Sequence, residues 1–264
     1  MNINKETQLF ISASQNPGNF GATIYNQLFD VYNINAVYLP RKITDEIKLI
    51  EAIKTLNIRG CSVTMPLKSK VGKYLDRLDE ISKKTGSVNT ILNNDGILCG
   101  YNTDYYGALD IILSLKPQST LIYGAGSVTN SVILALQDSG CKNISVVARR
   151  VDKAKEIADK FGIEYIDKVE SINRHFELLI NTTPASIEKE HEMYSLLPYV
   201  DTVFDLVVYP TKTELITISQ NMGCKTVEGI EMSKKQLKKQ FEIYTGVECE
   251  IDIINKIVDS FYKL

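Results

Sequence analysis

Lys68 and Asp104 are the ionisable residues of this chain best placed to do proton chemistry. Lys68 closes the run Thr64-Met65-Pro66-Leu67-Lys68, and Asp104 closes Asn102-Thr103-Asp104. Each follows a strand or hairpin signal, where loops and reacting groups collect. A lysine paired with an aspartate can relay a proton and donate a hydrogen bond to a hydroxyl or ketone. A solvated lysine and a helix-capping aspartate would account for the same residues on composition alone. Histidine competes poorly, since the chain has only His175 and His191, so neither a His-based catalytic scheme nor a metal site is expected.

A second constellation runs from Ser119 to Arg150. The apolar run Thr120-Leu121-Ile122-Tyr123 breaks into Gly124-Ala125-Gly126-Ser127-Val128-Thr129. A helical pattern, Val132 to Leu136, stops at Gly140, and a second run, Ile144 to Ala148, ends in Arg149-Arg150. Strand, glycine turn, helix and strand within about thirty residues is the unit that seats a dinucleotide pyrophosphate on a helix N-terminus. Gly124 would permit the tight turn and Gly126 a close backbone approach to phosphate, while Thr129 stands where a third glycine is usual. An ordinary βα turn in a cofactor-free protein is the other reading. The arginines favour the cofactor. An acidic residue at that strand end suits a ribose 2′-hydroxyl, whereas planar guanidinium forks suit a 2′-phosphate. Cations at a helix start, with Lys153 one turn later, also oppose the macrodipole and ask for an anion. NADP is expected over NAD.

The elements that must hold these residues follow from the rest of the chain. At 264 residues and 44% hydrophobic content, one large domain or two smaller ones can form. A formal net charge of -2 disfavours nucleic-acid and anionic-membrane partners. No apolar run is long enough to span a bilayer and no basic-then-apolar leader opens the chain, so a cytoplasmic protein is expected. Cys61, Cys99, Cys141, Cys224 and Cys249 are scattered, which points to reduced thiols rather than a disulfide or zinc framework.

Periodicity predicts strands at 9–11, 36–39 and 60–66, a loop over 12–21, and helices over 22–32 and from a Thr44 cap to Leu56. Residues 67–84 read as helix in two pieces, and 89–99 as a hairpin about Asp95-Gly96. A helix over 105–115 leads into the glycine-turn region. Helix 151–161, strands 163–165, 178–180, 203–207 and 225–227, and helices 213–221, 232–244 and 251–264 follow. Such alternation implies an α/β fold with largely parallel sheets in two lobes and a ligand in the cleft between them. The first lobe is expected at residues 1–103 plus 237–264 and the second at 104–236.

Ser62-Val63-Thr64-Met65-Pro66-Leu67-Lys68, Gly86-Ser87-Val88-Asn89-Thr90, and Asn102-Thr103-Asp104 with Gly107 closely resemble the three substrate-site motifs of shikimate dehydrogenases. The resemblance extends, in order, to Gly124-Ala125-Gly126, Ala148-Arg149-Arg150, Ile180-Asn181-Thr182-Thr183 and Gly229 with Met232 and Gln236. It implies an N-terminal α/β substrate domain and a Rossmann-type NADP-binding domain with a parallel sheet. It also implies a catalytic pair at Lys68 and Asp104, with Thr64, Asn89 and Gln236 on the ring hydroxyls. Arg149 would hold the 2′-phosphate and Gly229 the nicotinamide end, with Ala125, Ser127, Val128, Arg150, Lys153, Thr182 and Leu206 as further cofactor residues.

Two departures bear on the substrate. Counting back from Tyr25-Asn26, where the family has His-Asn, puts Asn19 and Gly21 at the two serines that clamp the substrate carboxylate. Gly21 brings no side-chain donor, and Ser12 and Ser14 stand too early in the loop. The family's substrate-site tyrosine falls at Val208, with Tyr209 one place off. The pattern Asn16-Pro17-Gly18-Asn19-Phe20-Gly21 resembles the divergent shikimate dehydrogenase-like branch. The expected activity is NADP-dependent interconversion of 3-dehydroshikimate and shikimate or a close ring hydroxy acid, by a monomer or homodimer. The alternatives are quinate or another hydroxy acid, and a ligand-sensing relative without turnover.

Overall fold

The computed structural model describes residues 3–263. The chain divides into two compact units, Met1–Thr103 with Lys234–Leu264, and Asp104–Ser233. The divisions fall inside two helices, α4 (Thr103–Leu115) and α8 (Gly229–Thr245).

The first unit is built on β1 (Gln8–Ser14), β2 (Ala36–Lys42), β3 (Gly60–Val63), β4 (Arg77–Leu78), β5 (Thr90–Asn94) and β6 (Ile97–Tyr101), in the order β2-β1-β3-β5-β6-β4. β1 lies between parallel neighbours, so Phe10, Ile11 and Ala13 are buried. Ser12 and Ser14, expected in a loop, belong to this strand, because pairing continues to Pro40 and Lys42. α1 (Phe20–Val31) buries Ile24, Tyr25, Leu28 and Phe29, one stripe at helical spacing. α2 (Glu46–Thr55) is capped not by Thr44 but by Asp45, whose Oδ1 accepts from the Ile47 and Lys48 amides at 2.9 and 3.0 Å. A carboxylate there also meets the positive end of the helix dipole.

Residues 67–84 depart furthest from expectation. A 3-10 turn (Val71–Tyr74) leads into β4, which pairs with β6, and only then α3 (Glu80–Thr85) forms. Asp79 caps α3 through the Ser82 amide at 2.7 Å, and Gly86 ends it at φ 69°, so six residues are helical. The Asp95-Gly96 hairpin forms as expected, with both residues at positive φ. Because β5 runs antiparallel to β3 and β6, this sheet is mixed rather than largely parallel. The C-terminal ends of β1, β3 and β6 and the start of β5 thus share one edge of the sheet.

The second unit carries β7 (Ser119–Tyr123), β8 (Asn143–Val147), β9 (Glu164–Tyr165), β10 (Phe176–Asn181), β11 (Val200–Asp205) and β12 (Lys225–Val227), all parallel. Their order, β12-β11-β10-β7-β8-β9, reverses between β7 and β10, the switch point of a doubly wound sheet. α5 (Ser127–Asp138), α6 (Val151–Phe161) and α7 (Glu214–Asn221) make the crossovers. Two 3-10 segments that the periodicity did not signal, Pro184–Ile187 and Glu192–Tyr199, follow β10. Leu179, Met193, Leu196, Val203 and Leu215 join one core there. α9 (Ile251–Tyr262) completes the first unit. All five cysteines are free thiols, and among the described residues no helix is long and apolar enough to cross a membrane.

Candidate active site

On the first unit, the edge formed by the ends of β1 and β3 and the start of β5 gathers Thr64, Lys68 and Asn89. The Thr64 amide donates to Ala13 O at 3.2 Å and the Leu67 amide to Thr64 O at 2.9 Å, which turns the chain sharply out of β3. The Val88 amide then donates to Lys68 O at 2.8 Å, tying the half-buried Lys68 to the 86–90 segment. Asn89 is 1% exposed, and its Oδ1 accepts from the Thr103 amide (2.8 Å), Thr103 Oγ1 (3.1 Å) and Thr90 Oγ1 (2.8 Å). The Thr103 amide is one of the N-terminal donors of α4, so a side chain from the neighbouring motif satisfies it. Asp104 follows, 3% exposed, in the first turn of α4, where the dipole favours a carboxylate.

Asn19 is the exposed N-cap of α1, yet its side chain makes no capping bond. Gly21 sits one residue into the helix. The nearest atoms a Cβ there would meet belong to the Tyr38 ring and hydroxyl, at 3.5–3.7 Å, which is ordinary contact. Neither backbone nor packing therefore demands a glycine at this position. Tyr25, in the family's histidine place, stacks on Tyr38 at 4.7 Å. Burial pushes the hydroxyls of Tyr25, Tyr38 and Tyr244 up, so all three stay protonated donors. Gln236 is half-buried on α8. One turn later Gln240, which no sequence motif marks, is 4% exposed and hydrogen-bonded to Tyr25, Ser62 and Thr90. Its only signal was a polar residue within the apolar stripe Leu237, Phe241, Tyr244.

On the second unit the glycine turn joins β7 to α5. Gly124 adopts φ +123°, and a Cβ would lie 2.3 Å from Thr182 Oγ1. Thr129, buried at the third-glycine position, replaces packing room with bonds. Its Oγ1 accepts from the Gly126 amide (3.1 Å) and contacts Gly124 O (3.3 Å) and Thr182 Oγ1 (2.8 Å), linking the β7 and β10 loops at the switch point. Gly126 differs from Gly124. Its φ is −91° and a Cβ would meet nothing within 4 Å, so the chain itself does not require glycine there. Open space beside Gly126, the N-cap of a twelve-residue helix that begins Ser127-Val128, suits a pyrophosphate.

Arg149 and Arg150 are exposed at the end of β8, and Arg150 reaches back to Ala125 O at 3.2 Å. Lys153 is paired with Glu156 at 2.5 Å, so its charge is shared on its own helix. The loops bearing Thr182 and Leu206 are pinned by Asp205. Its carboxylate accepts from Asn181 Nδ2 (2.9 Å), the Val207 amide (3.2 Å) and Thr213 Oγ1 (2.6 Å). Gly229 opens α8 where a Cβ would stand 2.5 Å from Val207 O, so close backbone packing is reason enough for that glycine. Val208 precedes Tyr209, which is 72% exposed. Among the described residues no three His, Cys, Asp or Glu side chains gather as a metal site.

Two family descriptions match the chain, "Shikimate dehydrogenase substrate binding domain" over residues 13–91 and "Shikimate / quinate 5-dehydrogenase" over 107–222. The chain is 33% identical over 252 residues to a shikimate dehydrogenase-like protein of Haemophilus influenzae, covering 92% of each. It is 34% identical over 271 residues to the shikimate dehydrogenase (NADP(+)) of Pyrococcus furiosus, covering 99% of this chain and 98% of that one. The solved shikimate 5-dehydrogenase of Listeria monocytogenes, in complex with shikimate and NAD, is similar at a TM-score of 0.85 and 27% identity, with 98% of each chain covered.

Proposed function

The chain belongs to the shikimate dehydrogenase family, and from that premise we propose that it interconverts 3-dehydroshikimate and shikimate, or a close ring hydroxy acid, using NADP. The observation that carries this reading is the gathering of Thr64, Lys68 and Asn89 at one edge of the mixed sheet. Asp104 is the next residue along from Thr103, whose amide Asn89 holds. NADP, when bound, supplies the hydride donor or acceptor. Lys68 gives its proton to the ketone oxygen as negative charge collects there, and takes it back in the reverse direction. Asp104 orients the ammonium and accepts a hydrogen bond from the neighbouring ring hydroxyl. The α5 N-terminus and the open face of Gly126 receive the pyrophosphate, and Arg149 the 2′-phosphate.

Gly21 favours a second substrate in the same class. With one carboxylate donor fewer than the family pattern, the seat is expected to hold shikimate loosely, and quinate or a related ring acid is the competing substrate. Five free thiols support a reducing, cytoplasmic setting. Steady-state assays over a panel of ring hydroxy acids, with NADP and with NAD, test the reading. Turnover of shikimate, or of one close analogue, with NADP preferred is the expected result. A protein that oxidised none of them with either cofactor would not be a dehydrogenase of this kind.

A further inference from the structure

Gln240 lies outside every motif that carries the family resemblance, yet both ends of its carboxamide are engaged. Oε1 accepts from the Tyr25 hydroxyl at 2.5 Å and Ser62 Oγ at 2.8 Å, and Nε2 donates to Thr90 Oγ1 at 2.5 Å. Thr90 Oγ1 in turn donates to Asn89 Oδ1 at 2.8 Å.

One unambiguous donor sets the direction of the whole chain of bonds. The Thr103 amide can only donate, and its acceptor at 2.8 Å is Asn89 Oδ1, which fixes the orientation of the Asn89 carboxamide. Thr90 must then donate to the same oxygen, since Oδ1 has no proton to give. Thr90 has one proton, so it has to receive from Gln240, and the end of Gln240 facing it is the amine. The other end is the carbonyl, to which both Tyr25 and Ser62 donate. With the Ser62 proton so committed, Tyr38 at 2.6 Å and Tyr244 at 3.1 Å both donate to Ser62 Oγ. Every hydroxyl in the series has one sense, set at the Thr103 amide, and Gln240 is the member that couples Asn89 and Thr90 to the tyrosines.

On the ring-acid reading above, we propose that Gln240 is a positioning residue for the substrate. It holds Thr90 as a further donor into Asn89, reinforcing the orientation that Thr103 imposes, so that Asn89 is held firmly with Nδ2 toward the ring and selects an oxygen able to accept a hydrogen bond. A ring hydroxyl or keto oxygen satisfies that requirement, and an ammonium group does not.

The substitution Gln240→Glu makes the sense of the series depend on one proton. A protonated carboxyl donates to Thr90 as the amine does. An ionised one presents acceptors on both sides and draws the Thr90 proton away from Asn89. Burial raises the pKa of such a carboxyl, so the change falls above the ordinary carboxylate range. The titratable groups around it are the Tyr25, Tyr38 and Tyr244 phenols and the Cys61 and Cys249 thiols, all pushed up by burial. Lys238 and Glu242, on the same helix, are paired with each other.

In Gln240→Glu the KM for the ring acid should rise on the order of ten-fold as pH climbs through that titration, with kcat falling less and the unmutated protein showing no such step. Thr90→Val should raise KM similarly, and Thr90→Ser, which keeps the hydroxyl, should restore it. A readout without turnover is the Thr103 amide proton, followed by NMR in the ligand-free protein. It should titrate in Gln240→Glu and cease to do so when Thr90→Val is added. A flat KM profile in Gln240→Glu, wild-type KM in Thr90→Val, or an indifferent Thr103 amide would each overturn the proposal. If the unmutated protein turned over no ring acid, the family-based reading would fall, while the amide titration would still decide whether Gln240 is coupled to Asn89 through Thr90.

Discussion

The ammonium of Lys68 carries the chemical burden of the proposed reaction, because charge develops at the oxygen it would touch. Lys68→Ala is expected to lower kcat by about a hundred-fold or more, with a much smaller change in KM, since that interaction strengthens in the transition state. A near-normal kcat on the best substrate would make Lys68 a structural residue. Gly21 offers the opposite experiment, a gain. A Cβ fits there at 3.5 Å from Tyr38, so Gly21→Ser should fold normally and add one hydrogen bond to a charged acceptor. Such a bond is worth about 1.5–3 kcal/mol, so KM for shikimate should fall roughly ten-fold or more. An unchanged KM in a folded Gly21→Ser protein would mean that the carboxylate does not sit there. At Arg149 the same magnitude works in reverse: Arg149→Ala should narrow the preference for NADP over NAD, as titration calorimetry of both cofactors would show.

The β7–α5 turn shows how two glycines in one element answer to different masters. Gly124→Ala would force a side chain into φ +123° and into Thr182, and should lower Tm clearly. Gly126→Ala meets nothing in the chain, so it should leave Tm within a degree or two while weakening cofactor binding. A Gly126→Ala protein that bound NADP normally would remove the argument for a pyrophosphate at that place. This element was legible in the sequence because its strand, turn and helix signals are all local, as they are in the Asp95-Gly96 hairpin. Other elements depend on distant partners and were not. β4 is two residues long and exists through β6, and Ser12 and Ser14 are strand because β2 continues beside them. Gln240 meets Tyr25, Ser62 and Thr90 from positions 150 to 215 residues away in the chain, and no spacing rule reaches so far. The motif residues of the candidate site were readable as types; which atom each presents was not.

Across the whole molecule, both sheets and their alternation with helices followed from the sequence. The mixed character of the first sheet did not, because periodicity does not tell a parallel from an antiparallel neighbour. The first unit is discontinuous, drawing Lys234–Leu264 from beyond the second. Phe241 and Tyr244 from that segment are 0% and 2% exposed, and Tyr244 packs against Phe10 with ring centres 5.1 Å apart. Losing one such aromatic costs about 3–5 kcal/mol, and a domain's whole margin is about 5–15 kcal/mol. A chain ended after Ser233 should therefore keep a folded second unit and lose the first, which hydrogen exchange by segment would reveal; protected amides in β1 and β3 would contradict this. The same discontinuity sets a timetable during synthesis. Residues of β1 through β6 leave the ribosome first but must wait, half-cored, while the second unit is translated and folds. Their sheet is finished only when its last two helices emerge. For that interval Phe10 lacks its Tyr244 partner, and the part of this chain made earlier is expected to become native later.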